Sequence, residues 1–533
     1  MKGSLLAALL LVSLTTVAQE KAIRPLDVPM SFSGTYGELR HDHFHGGVDW
    51  RVGGKIGDPI HAIKSGYIKQ VTVSVWGYGN ALYLQHPDGT VSVYGHMSAF
   101  REDIAGRIKE EQYARQSFAV SLQFGEDEYP VKQGDIIGKV GNTGSSAGPH
   151  LHMEVRDSDN VPMNYISMGY YKPQDNLCPT FRRIAFYAYD TLAVPRAYKI
   201  KSIANPLMHR ETVVLPEVSY VAIDAVDLQD GTTGKLAVEE YRVLLDDEMI
   251  FRLKLGNIGF EEGRHIKSLV QEGERGADMI KSVVDPANLL AYKTDTLCGG
   301  QIRLQDDRLH NLRLEALDEH GNRSLIKMKV RRGEGFAAPE ADTTFKQLQW
   351  LWYQPNFIMT DGMSYVLRAG SLFKSACVGW KKVAEAEPAK GIYSPVWNID
   401  GGGAPLQRSG LLRLEHGVPE NLLDKAYIAA PGFGYVGPLD GARTGWGTYF
   451  VAVDSEGPAI TLDRAGRIRV KDSGSGVADV KVMIDGKWHL SMLRRGVVTI
   501  LDRGSIAKGR RRVTIEAVDM LGNSTKIEKQ MKF

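Results

Sequence analysis

The chain has 533 residues, of which 43% are hydrophobic and 24% are charged. This is too much apolar material for a single domain, and the length predicts about three or four domains. The 65 basic and 63 acidic residues leave a formal net charge of +2, which argues against a nucleic-acid-binding protein. Histidine is unevenly placed, because eight of the 14 histidines fall between residues 41 and 152.

The N-terminus has the features of a secretory signal peptide over residues 1–18. Lys2 precedes an apolar run from Leu5 to Leu14, and the small residue Ala18 follows. The run is too short to span a membrane as a mature helix, and no later segment has 18 continuous apolar residues. We therefore expect export to the periplasm, the cell envelope or the extracellular space, with no transmembrane segment in the mature chain.

The three cysteines argue against a disulfide scaffold. They are Cys178, Cys298 and Cys377. They lie far apart, allow at most one intramolecular disulfide, and lack the spacing of a zinc site.

Residues 57–98 predict alternating strands and turns. Ala81 to Gln85 and Thr90 to Tyr94 are expected to form a hairpin around Pro87-Asp88-Gly89. Strand-like sequence resumes at residues 118–140, and a glycine-rich loop at 141–149 leads into a strand at 150–156.

Residues 101–117 interrupt this β pattern. Ile104, Ile108 and Tyr113 stand among charged and polar residues, which predicts a short amphipathic helix. It belongs to an insertion of about 100–129. The insertion is expected to shape substrate access, to contact a partner, or to be an inert surface elaboration, and the sequence does not decide among these.

Beyond about residue 180 the sequence predicts further β modules. Two segments, Leu314 to Asn322 and Ile515 to Asn523, share a strand, a turn containing Gly-Asn and a second strand, as at the edge of a β-sandwich. Five tryptophans lie in the stretch 336–455 and are expected to be core residues or a glycan-stacking surface: Trp350, Trp352, Trp380, Trp397 and Trp446. The predicted organisation is a first domain at 19–180, Ig-like β-sandwiches at 181–335 and 456–533, and a β-rich module at 336–455.

Three short motifs contain side chains suited to metal chemistry. In His45-Gly-Gly-Val-Asp49 the two glycines disfavour a helix, and an even spacing in extended chain places an imidazole and a carboxylate on one side. In His150 to Arg156, alternation places His150, His152 and Glu154 on one face of a strand and the apolar residues on the other.

The third motif, Tyr94-Gly-His96, ends the predicted hairpin. Taken alone, each motif has an ordinary structural explanation. Together they supply four histidines and Asp49, enough for three zinc ligands and two groups that move protons and stabilise charge. Spacing alone does not decide whether His150 or His152 would bind metal.

In order and composition these motifs resemble the lysostaphin/LytM-type zinc endopeptidases, which cut peptide cross-links in bacterial cell walls. The resemblance covers roughly residues 30–160 and includes 31–40, which is similar to the lead-in of secreted multidomain members from Gram-negative bacteria. It rests on these segments: His45…Asp49, Asp58 to Gly66, Gly77 to Asn80, Tyr94-Gly-His96, Val131 to Gly138, and Gly141 to Glu154. It implies an antiparallel β domain with an open zinc groove, followed here by β-sandwich modules.

The resemblance also implies a division of roles. It places the Zn²⁺ ligands on His45, Asp49 and His152 and the catalytic histidines on His96 and His150. Zinc would lower the pKa of its bound water and polarise the scissile carbonyl. A second set of residues has less definite positions: Glu154 beside the metal or at the surface, Asn80 and Tyr78 along the groove, and Tyr36 or Arg40 beside the oxyanion.

The implied function is hydrolysis of peptidoglycan stem-peptide cross-links, with D-alanyl–diaminopimelate bonds favoured over glycine bridges. Two alternatives stay open. One is a catalytically inactive relative that binds and activates a wall amidase, and the other is a wall-binding scaffold with the peptidase attached. The sequence also leaves open whether residues 19–30 cover the groove.

Overall fold

The computed structural model describes residues 20–189, 197–232, 234–272, 278–290, 294–337, 342–463 and 466–533. The predicted signal peptide, residues 1–18, lies outside the described residues. Strands dominate and pair almost entirely antiparallel, so the predicted mainly β class is confirmed. Among the helices in the described ranges, none has the length and apolar character needed to cross a membrane.

The N-terminal part contains one large sheet and one small sheet. Its elements are β1 (Phe32–Gly34), β2 (Val48–Arg51), β3 (Pro59–His61), β4 (Gly66–Val73), β5 (Ala81–Gln85), β6 (Val91–Gly95), β7 (Ala99–Phe100), α1 (Glu102–Arg115), β8 (Val120–Gln123), β9 (Pro130–Val131), β10 (Ile136–Lys139) and β11 (His150–Arg156). The large sheet has the order β1-β2-β11-β6-β5-β4-β8, with β9 beside β4, and the small one has the order β3-β10-β7. The predicted β5–β6 hairpin and the β11 strand are confirmed.

Strand β11 is central to this sheet and brings the three motifs together. Its apolar side chains, Leu151, Met153 and Val155, are buried in the core, as the alternation predicts. It lies between β2 and β6, with His152 opposite Asp49 on one side and Gly95 on the other. His96 follows Gly95, so the polar face of three adjacent strands collects the predicted site.

The predicted helix in the insertion is α1. Ile104 and Ile108 are buried against the N-terminal core, as an amphipathic helix requires. The Tyr113 ring meets Trp488 edge to face with centroids 5.1 Å apart, and its hydroxyl contacts Asp502. The structure therefore shows that the insertion contacts the C-terminal part of the same chain.

Residues 180–332 form two facing sheets around a common core. The elements are β12 (Thr180–Tyr189), β13 (Ala197–Ala204), β14 (Val213–Leu215), β15 (Val218–Val226), β16 (Glu240–Leu245), β17 (Glu248–Lys254), α2 (Phe260–Gly263), α3 (Ile266–Leu269), β18 (Val270–Glu272), β19 (Asp278–Lys281), β20 (Thr294–Thr296), β21 (Ile302–Arg303), β22 (His310–Leu317) and β23 (Arg323–Arg332). One sheet has the order β13-β12-β15-β19-β18, with β21 beside β15, and the other β14-β23-β22-β16-β17-β20. Ile184, Ile223 and Leu314 contribute to the core between them.

Two more pairs of facing sheets follow. The first contains β24 (Lys346–Trp350), β25 (Asn356–Thr360), β26 (Met363–Leu367), β27 (Ala376–Ala384), β28 (Val396–Asp400), β29 (Gly410–Leu414), β30 (Ala426–Ala430), β31 (Gly434–Pro438), β32 (Ala442–Thr444) and β33 (Gly447–Val453). The second contains β34 (Ala459–Leu462), β35 (Ile468–Lys471), β36 (Val477–Ile484), β37 (Lys487–Trp488), β38 (Ser491–Arg494), β39 (Val497–Ile500), β40 (Arg510–Asp519) and β41 (Ser524–Lys532). Each pair surrounds its own core. The domain boundaries stated above stay predictions.

The two similar segments, 314–322 and 515–523, have the same structure. In the β22–β23 hairpin the Asn322 side-chain amide donates to Asp318 at 2.7 Å, and in the β40–β41 hairpin Asn523 donates to Asp519 at 2.7 Å. The predicted strand–turn–strand is confirmed in both. The five middle tryptophans are core or pack against it, which favours the structural reading over glycan stacking: Trp350, Trp380 and Trp397 are buried, and Trp352 and Trp446 are partly buried.

The 180–332 sheets are joined to the N-terminal part through the lead-in at 31–40. Phe44, on the N-terminal side, is buried in the core of the 180–332 sheets. The Ala237 N–H donates to Thr35 Oγ1 at 3.0 Å, and Phe32 N–H donates to the side chain of Gln229 at 3.1 Å. This contact fixes the segment that precedes His45.

Candidate metal centre and active-site groove

His45 and Asp49 are brought together where the chain enters β2. The His45 Nδ1–H donates to the carbonyl of Thr35 at 2.9 Å, because a carbonyl can only accept. This leaves Nε2 with a lone pair, 3.1 Å from Asp49 Oδ1. The expected pairing of an imidazole and a carboxylate is present, and the lead-in supplies the group that sets the His45 tautomer.

His152 completes a cluster of three buried groups. Its Nδ1 lies 2.9 Å from Asp49 Oδ1 and 3.0 Å from His45 Nε2. The three atoms lie within 4.8 Å of one another. Two imidazole nitrogens and one carboxylate oxygen are the donor set of a catalytic zinc site with an open position, so these residues fit the metal that the sequence predicts.

The charges of the cluster depend on one another. Burial by itself would raise the pKa of Asp49, but His45 and the hydrogen bonds from His150 and His152 hold that pKa well below its usual range. Burial opposes a positive charge on His152, yet its hydrogen bonds to Asp49 and Glu154 raise its pKa to about 9. The acidic surroundings that favour a second proton on His152 equally favour a metal cation in its place.

Glu154 binds the ring nitrogen of His152 that does not join the metal cluster. Its Oε1 accepts the Nε2–H of His152 at 2.9 Å and the hydroxyl of Tyr78, and its Oε2 accepts from Arg156 at 2.7 Å. Glu154 is fully buried, so the reading as a strand-end surface carboxylate is wrong. A carboxylate that orients a metal-binding histidine fixes which ring nitrogen faces the metal.

His96 and His150 lie side by side, with ring centroids 4.7 Å apart. The Nδ1–H of His96 donates to the Thr143 carbonyl at 2.9 Å, and that of His150 donates to the Gly148 carbonyl at 2.8 Å. His96 thus keeps Nε2 as its lone-pair nitrogen, and His150 directs its Nε2 to Asp49 Oδ1 at 3.5 Å. Burial, with the neighbouring His152 and His150, lowers the pKa of His96 to about 4, which keeps this ring neutral.

A groove of about 1030 Å³ contains these side chains. All five predicted site residues line it, together with Tyr78, Glu154 and the loop Ser145 to Pro149. One wall comes from the 180–332 sheets, through Ile258 to Phe260 and Gly263. Residues 20–30 line no part of this groove. They pack elsewhere, with Leu26 buried in the N-terminal core.

The remaining candidates have other environments. The Tyr36 hydroxyl accepts from Ile258 N–H at 2.7 Å and contacts the Pro162 carbonyl at 3.1 Å, so it connects the N-terminal part to the 180–332 sheets. Arg40 lies on the second oxygen of Asp49, with its guanidinium 3.1 Å from Oδ2. Asn80 does not line the groove, whereas Tyr78 does.

The other four early histidines divide into two pairs. His61 contacts Gly134 and Asp27, and His86 contacts Ser65 and Ser92, so both make structural hydrogen bonds. His41 and His43 line the groove without joining the metal cluster. Sequence reasoning missed Arg156 and the wall at 258–263. Arg156 had a signal, because it continues the polar face of β11, but the wall had none.

Comparisons with known proteins agree with this geometry. The model for "Peptidase family M23" matches residues 43–117 and 113–165. The DD-carboxypeptidase/endopeptidase Mpg of Neisseria meningitidis is 31% identical over 166 residues, which are 30% of this chain and 32% of that protein. Lysostaphin of Staphylococcus staphylolyticus is 33% identical over 144 residues, 26% of this chain and 25% of that protein.

Among solved structures, the catalytic domain of the prophage-encoded M23 protein EnpA from Enterococcus faecalis is 28% identical. The match covers 26% of this chain and 92% of the EnpA chain, with a TM-score of 0.20. The match to the family model ends at residue 165, shortly after β11, and this chain spans about a third of the Mpg relatives. Over residues 43–165 the chain thus matches the model for peptidase family M23, and this part is similar to lysostaphin/LytM-type peptidases.

Proposed function

We propose that the protein is an exported zinc metalloendopeptidase that hydrolyses the peptide cross-links of peptidoglycan. The observation that carries this proposal is the cluster of His45 Nε2, Asp49 Oδ1 and His152 Nδ1 beside the His96–His150 pair. Residues that could have been lost in an inactive relative are all present and engaged. The relatives named for lysostaphin and for a DD-carboxypeptidase/endopeptidase support the substrate class.

In this proposal His45, Asp49 and His152 hold the metal, and Glu154 keeps His152 oriented. When bound, zinc lowers the pKa of a water molecule and polarises the scissile carbonyl. His96, neutral because of its burial, presents Nε2 to take a proton from the attacking water. His150, which donates through Nδ1 to Gly148 and has its Nε2 3.5 Å from Asp49 Oδ1, stabilises the developing oxyanion beside the metal ligands.

For the bond cleaved we propose the D-alanyl–diaminopimelate cross-link. The match to the Neisseria relatives, named for DD-carboxypeptidase and endopeptidase activities, supports this over the glycine bridges that the name of the glycyl-glycine endopeptidase ALE-1 indicates. Export to the periplasm or cell envelope follows from this substrate and from the signal peptide expected at residues 1–18.

Incubation of the protein with purified, defined cross-linked stem peptides, followed by mass analysis of the products, tests the proposal. We expect one cleavage at the cross-link, loss of cleavage with a chelator, and loss of at least about a hundredfold in His150→Ala. Metal analysis should find one zinc per chain. Cleavage that survives both the chelator and His150→Ala would refute the mechanism, and a metal-free, inactive wild type would favour the amidase-activating alternative.

A further inference from the structure

A hairpin from the C-terminal sheets lies against the loop that leads to His150. It is formed by β38 and β39 and turns at Arg495 and Gly496, both with positive φ. The Arg494 guanidinium donates to the carbonyl of Gly144 at 3.0 Å. Trp488 on β37, shortly before this hairpin, packs on Tyr113 of α1 and is a second contact between the C-terminal sheets and the N-terminal part. Two parts of the chain about 350 residues apart thus meet beside the groove.

Between the hairpin and the loop lies a cavity of about 520 Å³. Ser146 and Ala147 line both this cavity and the active-site groove, so the two are adjacent. Ser146 Oγ is 3.3 Å from His150 Nδ1. Since an extended peptide advances about 3.3 Å per residue, a substrate strand that crosses His150 enters the cavity within a few residues.

The cavity is positively charged and has no internal counter-ion. Arg494 and Arg495 both line it, and none of its lining residues is acidic. Across the described ranges no carboxylate forms an ion pair with either arginine, and Arg494 directs one donor to Gly144. A guanidinium has five donors in a fork that matches a carboxylate, so Arg494 keeps donors beyond the one bound to Gly144, and Arg495, exposed at the turn, adds its own.

We propose that Arg494 and Arg495 form a subsite for a free carboxylate of the peptide substrate. This inference rests on the proposed function. The C-terminal sheets then take part in substrate selection, and the enzyme prefers stem peptides with free carboxyl groups over those in which these groups are amidated. The amide has nearly the same shape as the acid but lacks the charge, so the preference reports on the arginines.

Two cross-linked stem peptides that differ only in free or amidated carboxyl groups provide the test. Wild type should cleave the free acid with about tenfold higher kcat/KM, expressed mainly in KM, because the contact lies away from the scissile bond. Arg495→Gln, which leaves the Gly144 contact in place, and Arg494→Gln should each reduce the preference, and together abolish it. Arg510→Gln, an exposed arginine on β40, is the matched control and should keep the preference.

Equal cleavage of both peptides by wild type, or an unchanged preference in the double variant, would overturn the subsite. Cleavage of neither peptide would instead count against the proposed function. In that case calorimetric binding of the uncross-linked stem peptide still decides the subsite. The free acid should bind wild type more tightly than its amide does, whereas the double variant should bind the two peptides equally. Equal binding of the two peptides to wild type would overturn the subsite.

Discussion

Replacing Glu154 with glutamine is expected to destabilise the metal centre and the sheet beneath it. The carboxylate accepts hydrogen bonds from His152, Tyr78 and Arg156. Glutamine has the same shape but presents an amide NH₂ group, which meets a donor from His152 or from Arg156. Glu154 is 0% exposed and Arg156 is 5% exposed, so water does not compensate the charge left on the guanidinium.

The magnitude follows from this burial. Removing one partner of a buried ion pair costs about 3–5 kcal/mol. The chain has several cores, so a single unfolding curve does not isolate this effect. Hydrogen exchange of the β2 and β11 amides does, and with a chelator present we expect exchange at least about a hundredfold faster in Glu154→Gln. Zinc affinity of the same variant should fall about 10- to 100-fold.

Asp159→Asn is the control for the loss of one negative charge, because Asp159 is exposed on the turn after β11. It should leave both exchange and zinc affinity unchanged. If Glu154→Gln kept β11 exchange within about threefold of wild type and bound zinc normally, the Arg156 charge would not depend on Glu154 and the reasoning would be wrong.

Three further predictions concern other parts of the molecule. His152→Ala should lose zinc and cleavage, yet keep the thermal transitions of the C-terminal sheets, whose cores contain none of the three ligands; wholesale unfolding in calorimetry would contradict this. Burial, followed by nearby carboxylates, raises the pKa of Asp227 from 3.8 to about 8, so its contribution to stability is full below about pH 4 and is lost as the pH rises through 8. Asp227→Asn should flatten the fall in local unfolding free energy of the 180–332 sheets between about pH 5 and pH 9, measured by hydrogen exchange of the β15 amides that precede it, and an unchanged profile would show that the carboxyl is ionised when folded. Tyr113→Ala should speed hydrogen exchange of the β38–β39 hairpin by about tenfold and raise KM; a hairpin with wild-type exchange would show that another contact positions it.

Much of the candidate cluster could be predicted because part of its signal is local. Alternation along His150 to Arg156 defines one polar face, and the same alternation buries Leu151 and Met153. The resemblance in motif order then supplied His45, Asp49 and His96, which the β2–β11–β6 register places side by side. The division into metal ligands and catalytic histidines also came from the resemblance and stays a prediction.

The groove walls were beyond such reasoning, because they depend on contacts between distant segments. Phe260 reaches the groove and Arg494 reaches the neighbouring cavity from distant parts of the chain, and neither carries a pattern that identifies a partner. The role of α1 depended in the same way on Trp488, which lies 375 positions after Tyr113. Glu154 was ambiguous, because a strand residue next to a turn is as often exposed as buried, and only the packing of Tyr78 and Arg156 over it decides.

Phe44 has a consequence for how this chain can change in evolution. Its ring lies in the core of the 180–332 sheets, one residue before His45, and Leu39 packs against that core too. Cutting the chain at residue 180 would expose both side chains to water and release the segment that contains Thr35. We therefore expect the N-terminal part to need the sheets that follow it, and recombination to exchange the two as one unit.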